Sequence, residues 1–195
     1  MAWQKEKKTN FTDIELLEGC KAGKSKFQEL LYKRFFSFAM GICIRYTPNT
    51  NDALEVVNDA FLKVFENIHS YDTTRPFNSW FSKVIVNSAI DSYRKTQKFH
   101  AEVTLNGAEA IEDHEPTMDE ELSANEILML FAQLPDTFRI TFNLYEIEGY
   151  SHEEIGEMMG ISTSTSRSNL TRAKKMLRKL YHMNHIKAAN HYEQV

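Results

Sequence analysis

Hydrophobic positions recur at helical spacing in nearly every segment of the chain long enough to judge. Over 24–46, Phe27, Leu30, Leu31, Phe35, Phe38, Ile42 and Tyr46 follow at three- and four-residue steps, the mark of a helix burying one face. Pro48 ends it, because proline pushes its predecessor out of the α region. A second stripe over 52–68 consists of Ala53, Val56, Val57, Ala60, Phe61, Val64, Phe65 and Ile68. A third, over 78–97, turns Phe81, Val84, Ile85, Ala89 and Tyr93 inward. A shorter helix capped by Asp13 and ended by Gly19 to Gly23 precedes all three.

Periodicity then disappears from about 96 to 118, where Gly107 and Pro116 mark a linker. It resumes with Leu122, Ile127, Leu130, Phe131 and Leu134, and again after Pro135 with Phe138, Phe142, Leu144, Tyr145 and Ile147, closed by Gly149. The pattern predicts an all-α chain of two small helical domains, 11–97 and 119–182, joined by a flexible linker over 98–118 and followed by a polar tail over 183–195.

The second domain ends in a recognisable motif. Ser151 and Glu154 form a Ser-x-x-Glu capping box that starts a short helix, with Ile155, Met158 and Met159 as its apolar face. Gly160 supplies a left-handed turn residue, and Ser162 can cap a longer helix through Leu170, Ala173, Met176, Leu177 and Leu180. Short capped helix, glycine turn and long helix make a helix-turn-helix as the last part of a four-helix domain.

Charge sharpens this reading. The net charge of −4 hides an asymmetry: 101–126 holds nine acidic residues and no Lys or Arg, and the remainder is net +5. From Met158 to Tyr192 there is no carboxylate, while Arg167, Arg172, Lys174, Lys175, Arg178, Lys179 and Lys187 are basic. Positive potential therefore concentrates on the helix that enters the major groove in this motif. The acidic linker would avoid DNA, and its ~20 residues at ~3.3–3.6 Å each could span about 70 Å, close to two turns of duplex.

Other chemistry is thin. Cys20 and Cys43 fit neither a disulfide framework nor a zinc site, and His182, His185 and His191 have no carboxylate or cysteine near them in sequence, so no metal or cofactor is expected. Carboxylates in a flexible linker do not form the preorganised site a nuclease would need. The polar N-terminus lacks a signal-peptide core and no apolar run reaches membrane length, so a soluble intracellular protein is expected. On the helix over 52–68, Leu62 sits among Glu55, Asn58, Asp59 and Glu66 with Leu54 nearby; this is either an ordinary polar face or a protein-binding patch with an acidic rim. Tyr71 and Trp80 beside Asn87 and Arg94 combine π-surface with hydrogen-bonding groups, a mixture suited to unstacked bases.

Together these pieces resemble a bacterial RNA polymerase sigma factor of the extracytoplasmic-function type. NDALEVVNDAFLKVF and RPFNSWFSKVIVNSAIDSYRK look like the core-binding and −10 helices of its region 2, and LPDTFRITFNLYEIEGYSHEEIGEMMGIS with SRSNLTRAKKML resembles its region 4. The resemblance implies a non-enzymatic factor whose partners are core RNA polymerase and promoter DNA, duplex and single-stranded, without a small-molecule substrate. It also implies an anti-sigma factor that could be membrane-tethered, with the chain itself in the cytoplasm. By residue, it implies docking on polymerase through Asp52, Glu55, Asn58, Asp59 and Leu62. Tyr71, Trp80 and Asn87 would surround a flipped −10 base, with Lys83 and Arg94 on phosphates. Arg167, Ser168, Thr171 and Arg172 would read the −35 duplex, with Lys174 and Lys175 on its backbone. Ser166 stands where the family commonly has an apolar residue and Asn169 where it has Arg or Gln; an Asn reaching a base edge would favour adenine. The alternative is a conventional helix-turn-helix regulator with an N-terminal ligand or dimerisation domain, which would not require the polar docking face.

Overall fold

The computed structural model describes residues 11–101 and 124–192, with side chains placed for 11–97 and 126–183. Among the described residues there are helices and no strands. The linker core, 102–123, lies outside them.

The first domain comprises α1 (Asp13–Lys21), α2 (Ser25–Cys43), α3 (Thr50–Asn67), a 3-10 turn (Ile68–Ser70) and α4 (Phe77–Ala101). Helix α1 is capped one residue earlier than the sequence suggested: Thr12 accepts from the Glu15 amide while Glu15 accepts from the Thr12 amide at 2.7 Å, a reciprocal box. Gly19 lies inside α1 rather than ending it, and its lack of a side chain admits Phe27: a Cβ there would stand 2.1 Å from that ring. Helices α2, α3 and α4 close around Phe35, Phe61, Phe77 and Phe81, with ring centroids 4.8 Å apart for Phe35–Phe77 and 4.9 Å for Phe61–Phe81. The apolar stripes read from the sequence supply the remainder, Leu31, Val57, Val64 and Ile85 being completely buried.

The second domain holds α5 (Ala124–Ala132), α6 (Asp136–Phe142), a π-helical turn (Asn143–Ile147), α7 (His152–Met159) and α8 (Thr163–Tyr192). Helix α8 packs on α5, α6 and α7. It runs on through most of the segment expected to be a frayed polar tail, since nothing over 181–192 is Gly or Pro and Ala188 and Ala189 favour helix. Likewise α4 continues to Ala101, four residues past the expected start of the linker.

The domains are joined by more than the linker. Ile140, Leu144, Ile155 and Met159 belong to the same buried cluster as the first domain's core. Arg139, which an exposed helix face could have carried, is instead 1% exposed. Its guanidinium donates to the carbonyls of Leu134 at 3.1 Å and Tyr46 at 3.3 Å and pairs with Asp136 at 2.5 Å. Asn143 Nδ2 donates to the Arg45 carbonyl at 2.8 Å and the Arg139 carbonyl at 2.9 Å. The two first-domain acceptors lie just past the end of α2, where helix geometry leaves carbonyls without partners. Arg45 and Glu148 add a half-buried ion pair at 3.3 Å across the same seam.

Two outcomes follow. Arg139→Met keeps most of the volume but removes the donors, and is expected to cost about 2–4 kcal/mol in urea unfolding; a loss below about 1 kcal/mol would mean the buried contacts are not stabilising. The second concerns alkaline pH. Burial pushes the Cys20 thiol up to about 11 and the Cys43 thiol up to about 12. Tyr93 is pushed up to about 12 by burial and then by Asp136, and Tyr46 also rises, mainly through burial and then the Glu148 charge. All four are held neutral in the folded state, so the stability they contribute is complete below their unfolded values, about 8.5 for the thiols and about 10 for the phenols, and is lost as pH rises from there toward the folded values. The urea midpoint should be flat from about pH 7 to 8 and fall from about pH 9 upward, by up to about 1.4 kcal/mol per pH unit per titrating group; Cys43→Ala should flatten the first part of the fall.

Candidate nucleic-acid interface

The helix-turn-helix is built as its residues dictate. The Glu154 amide donates to Ser151 Oγ at 3.2 Å and the Ser151 amide to Glu154 Oε2 at 2.8 Å; that second bond, first among the causes, holds the Glu154 carboxyl below its ordinary range. Gly160 closes α7 at φ 70°, and Ser162 Oγ accepts from the Thr165 amide at 3.0 Å to begin α8. Gly156, a residue the sequence reading passed over, lets the turn come close: a Cβ there would lie 2.8 Å from the Ile161 carbonyl oxygen.

Along α8 the faces separate cleanly. Ser166, Asn169, Leu170 and Ala173 are buried, whereas Arg167, Ser168, Thr171 and Arg172 are exposed. Asn169, at 6% exposure, points away from the surface that could meet a base edge, so the expected adenine preference loses its basis. Arg167 pairs with Glu153 at 3.3 Å and Lys174 with Glu146 at 2.6 Å. Thr171 donates its hydroxyl to the Arg167 carbonyl at 3.1 Å. Lys175 is half-buried.

On the first domain, Trp80, Lys83, Asn87 and Arg94 fall at steps of three, four and seven along α4, which puts them on one face. Trp80 is half-buried and the other three are exposed. Tyr71 departs from expectation. It is 5% exposed, its hydroxyl donates to the Arg75 carbonyl, and its ring packs 5.1 Å from Trp80 and 5.6 Å from Phe77. It offers no free face to a base; it supports Trp80 and ties down the loop over 71–76. Asp72 shapes the same loop by accepting from the Thr74 amide at 3.0 Å and hydroxyl at 2.7 Å, bonds that hold its carboxyl below the usual range. Arg94 reaches across to the second domain and donates to the Glu157 carbonyl at 3.5 Å.

Helix α3 presents the third surface. Asn49 caps it by accepting from the Asp52 amide at 2.9 Å and donating to Asp52 Oδ2 at 3.0 Å, so Asp52 is partly engaged. Glu55, Asn58 and Asp59 are exposed around Leu62, which leaves 59% of its surface uncovered, and Leu54 leaves 40%. Tyr32 on α2 donates to Asn58 Oδ1 at 3.0 Å, fixing one member of this row. Among the described residues no group of His, Cys, Asp or Glu could hold a metal ion, and no helix is long and apolar enough to cross a membrane.

The Sigma-70 region 2 family model matches residues 31–99 and the Sigma-70 region 4 model residues 124–177. The ECF RNA polymerase sigma-E factor of Haemophilus influenzae is 28% identical over 178 residues, covering 85% of this chain and 93% of that protein. The ECF sigma factor SigW of Bacillus subtilis is 28% identical over 150 residues, covering 71% and 80%. Among solved structures, the sigma factor RpoE of Bartonella quintana, crystallised with the anti-sigma factor NepR, aligns with a TM-score of 0.48 at 18% identity, over 79% of this chain and 96% of that one. With both region models matched in order across the two domains, the chain belongs to the extracytoplasmic-function group of the sigma-70 family, non-enzymatic factors that bind RNA polymerase and promoter DNA and direct promoter-specific transcription initiation.

Proposed function

We propose that this sigma factor divides promoter recognition between α8, which reads the −35 duplex, and α4 with its preceding loop, which opens and holds the −10 element. The observation that carries the first half is the partition of α8: Arg167, Ser168, Thr171 and Arg172 share an exposed, carboxylate-free face backed by a buried one. Arg167 and Arg172 suit bidentate contacts to guanine, while Lys174 and Lys175 position on phosphates. Their partners Glu153 and Glu146 are surface carboxylates, and such pairs are worth only about 0–1 kcal/mol, so they yield to DNA at little cost.

For the −10 element, Trp80 is the stacking surface, Asn87 the hydrogen-bonding group beside it, and Lys83 and Arg94 the phosphate contacts. Tyr71 acts from beneath by holding Trp80. Arg94 gives up its 3.5 Å contact with Glu157 on engaging the backbone, and the domains part so that each reaches its element. The α3 row of Asp52, Glu55, Asn58, Asp59 and Leu62 docks on core polymerase, an apolar centre within an acidic rim. The same row is where an anti-sigma factor, tethered at a membrane or free, would compete. The domains of this scheme are 11–97 and 119–182, the work is cytoplasmic, and no cofactor enters it.

Run-off transcription with core polymerase tests the scheme as a whole: specific transcripts should appear with the factor and not without it, and their absence from every promoter tried would sink it. Arg172→Ala should weaken −35 recognition by about 5- to 150-fold. Trp80→Ala should leave −35 duplex binding intact while cutting permanganate-detected opening by about 5- to 150-fold. A Trp80→Ala variant that opens promoters normally would remove α4 from its assigned role. The supporting role of Tyr71 is read separately in a Trp3→Phe background. Tyr71→Phe is expected to cost about 1 kcal/mol of stability without changing acrylamide quenching of Trp80, whereas Tyr71→Leu increases the quenching.

A further inference from the structure

Ser166 is completely buried on the inner face of α8, one residue before Arg167. A serine inside a helix ordinarily returns its hydroxyl to the carbonyl four residues back. Here the Ser162 carbonyl accepts from the Ser166 amide, and the Ser166 hydroxyl instead shares a 2.9 Å hydrogen bond with Nδ1 of His152, the first residue of α7. The His152 ring is itself held, stacked on Tyr145 with centroids 4.4 Å apart and planes 18° from parallel. Tyr145 stands in the π-helical turn that follows α6.

We infer that His152 and Ser166 are positioning residues for base reading: their bond, with Tyr145 behind it, fixes the rotation of α8 against α7 and so sets −35 specificity. An apolar residue in place of Ser166 would fill the space but leave rotation about the helix axis to side-chain packing. A hydroxyl bonded to a stacked ring has one distance and one direction. Bidentate contacts require such definition, since a site is productive only when its groups are held within about 0.5 Å and 10–20°. Arg167 is the immediate neighbour of the braced residue, and Arg172 lies less than two turns further along the same helix. Neither His152 nor Ser166 touches DNA in this arrangement, so the brace acts on the choice of sequence and not on the phosphate contacts.

The inference rests on the reading of −35 duplex by α8, and its test separates the two. The full-length factor with core polymerase is measured against a promoter series carrying single-base changes in the −35 element. Ser166→Ala removes the hydroxyl, His152→Phe keeps a ring on Tyr145 but loses the bond, and His152→Asn keeps a polar atom near the Nδ1 position without the ring. Ser166→Ala and His152→Phe should each lower discrimination between matched and mismatched elements about three- to tenfold, the size of one hydrogen bond. Binding to non-specific duplex and its salt dependence should stay as in the parent. The double variant should be no worse than either single one, because both remove the same bond, and His152→Asn should retain most of the discrimination. If Ser166→Ala does not fold, the contrast between His152→Phe and His152→Asn decides. Unchanged discrimination in Ser166→Ala and His152→Phe, or losses that multiply in the double variant, would overturn the brace. A parent protein indifferent to −35 sequence, or an Arg172→Ala variant that discriminates as well as the parent, would instead overturn the reading beneath it.

Discussion

A buried guanidinium sits at the centre of the polar seam between the two halves of this molecule. Taking an arginine out of water is costly unless its donors are met. Arg139 meets that condition at both terminal nitrogens, though not at the buried Nε, by collecting acceptors from three places: Asp136 on its own helix, Leu134 just past α5 and Tyr46 beyond the end of α2. The last is the consequential one, since it makes the solvation of a second-domain charge depend on a first-domain carbonyl. Asn143, one turn later, does the same with Arg45. The backbone between them and Glu148 widens into a π-helical turn, with the Glu148 amide bonding back five residues to Asn143. That turn sets down Glu148 against Arg45 and Tyr145 against His152. One irregularity thus serves both the seam between domains and the brace beneath the recognition helix.

Electrostatics is arranged by the same economy of elements. The chain as a whole is acidic, yet α8 lacks carboxylates and α7 carries Glu153, Glu154 and Glu157. Acid at the start of α7 suits the helix dipole and completes a capping box. It also gives Arg167 a temporary partner at 3.3 Å. Exposed pairs of this kind order a side chain without committing it, because a phosphate or a base edge competes on equal terms. The strong, desolvated charge contacts are reserved for Arg139, which binds no DNA in the proposed scheme. In that scheme, structure and recognition draw on different arginines.

Much of this was legible in the sequence, and what was not has a common cause. Periodicity located the helices, the Ser151–Glu154 pair and Gly160 located the motif, and the absence of carboxylates after Met158 located the basic helix. These are local signals, each written in residues within a turn or two of one another. Nothing local in the sequence singles out Arg139, because its acceptors at Tyr46 and Leu134 belong to other elements. Tyr71 looked available to a base because its hydroxyl's partner, the Arg75 carbonyl, is invisible in a string of side-chain types. Asn169 and Ser166 were judged by residue type, as departures from a pattern, when their position on the inner face of α8 governs what they can touch. The length of α8 was misjudged for the opposite reason: polarity suggested fraying, although no residue there breaks a helix.

The two halves of the helix-turn-helix are anchored in different cores, and that bears on what happens when the domains part. Ile155 and Met159 of α7 belong to the buried cluster that extends into the first domain. Helix α8 has a second cluster of its own, Ala173 with Phe131 and Leu134, flanked by Phe138, Phe142, Met176 and Leu177. Separation at the Arg139 seam leaves this second cluster whole, since all of its members lie within the second domain. It removes apolar cover on the α7 side, so the register between α7 and α8 then rests more heavily on contacts internal to the motif. Those contacts are the His152–Ser166 bond, the close approach at Gly156 and the Glu153–Arg167 pair. Of the three, only the first is a directional bond with a fully buried member, Ser166. The bond that a serine makes in place of apolar packing therefore matters most in the proposed open, DNA-reading state, in which packing from the first domain would no longer hold the helices in register.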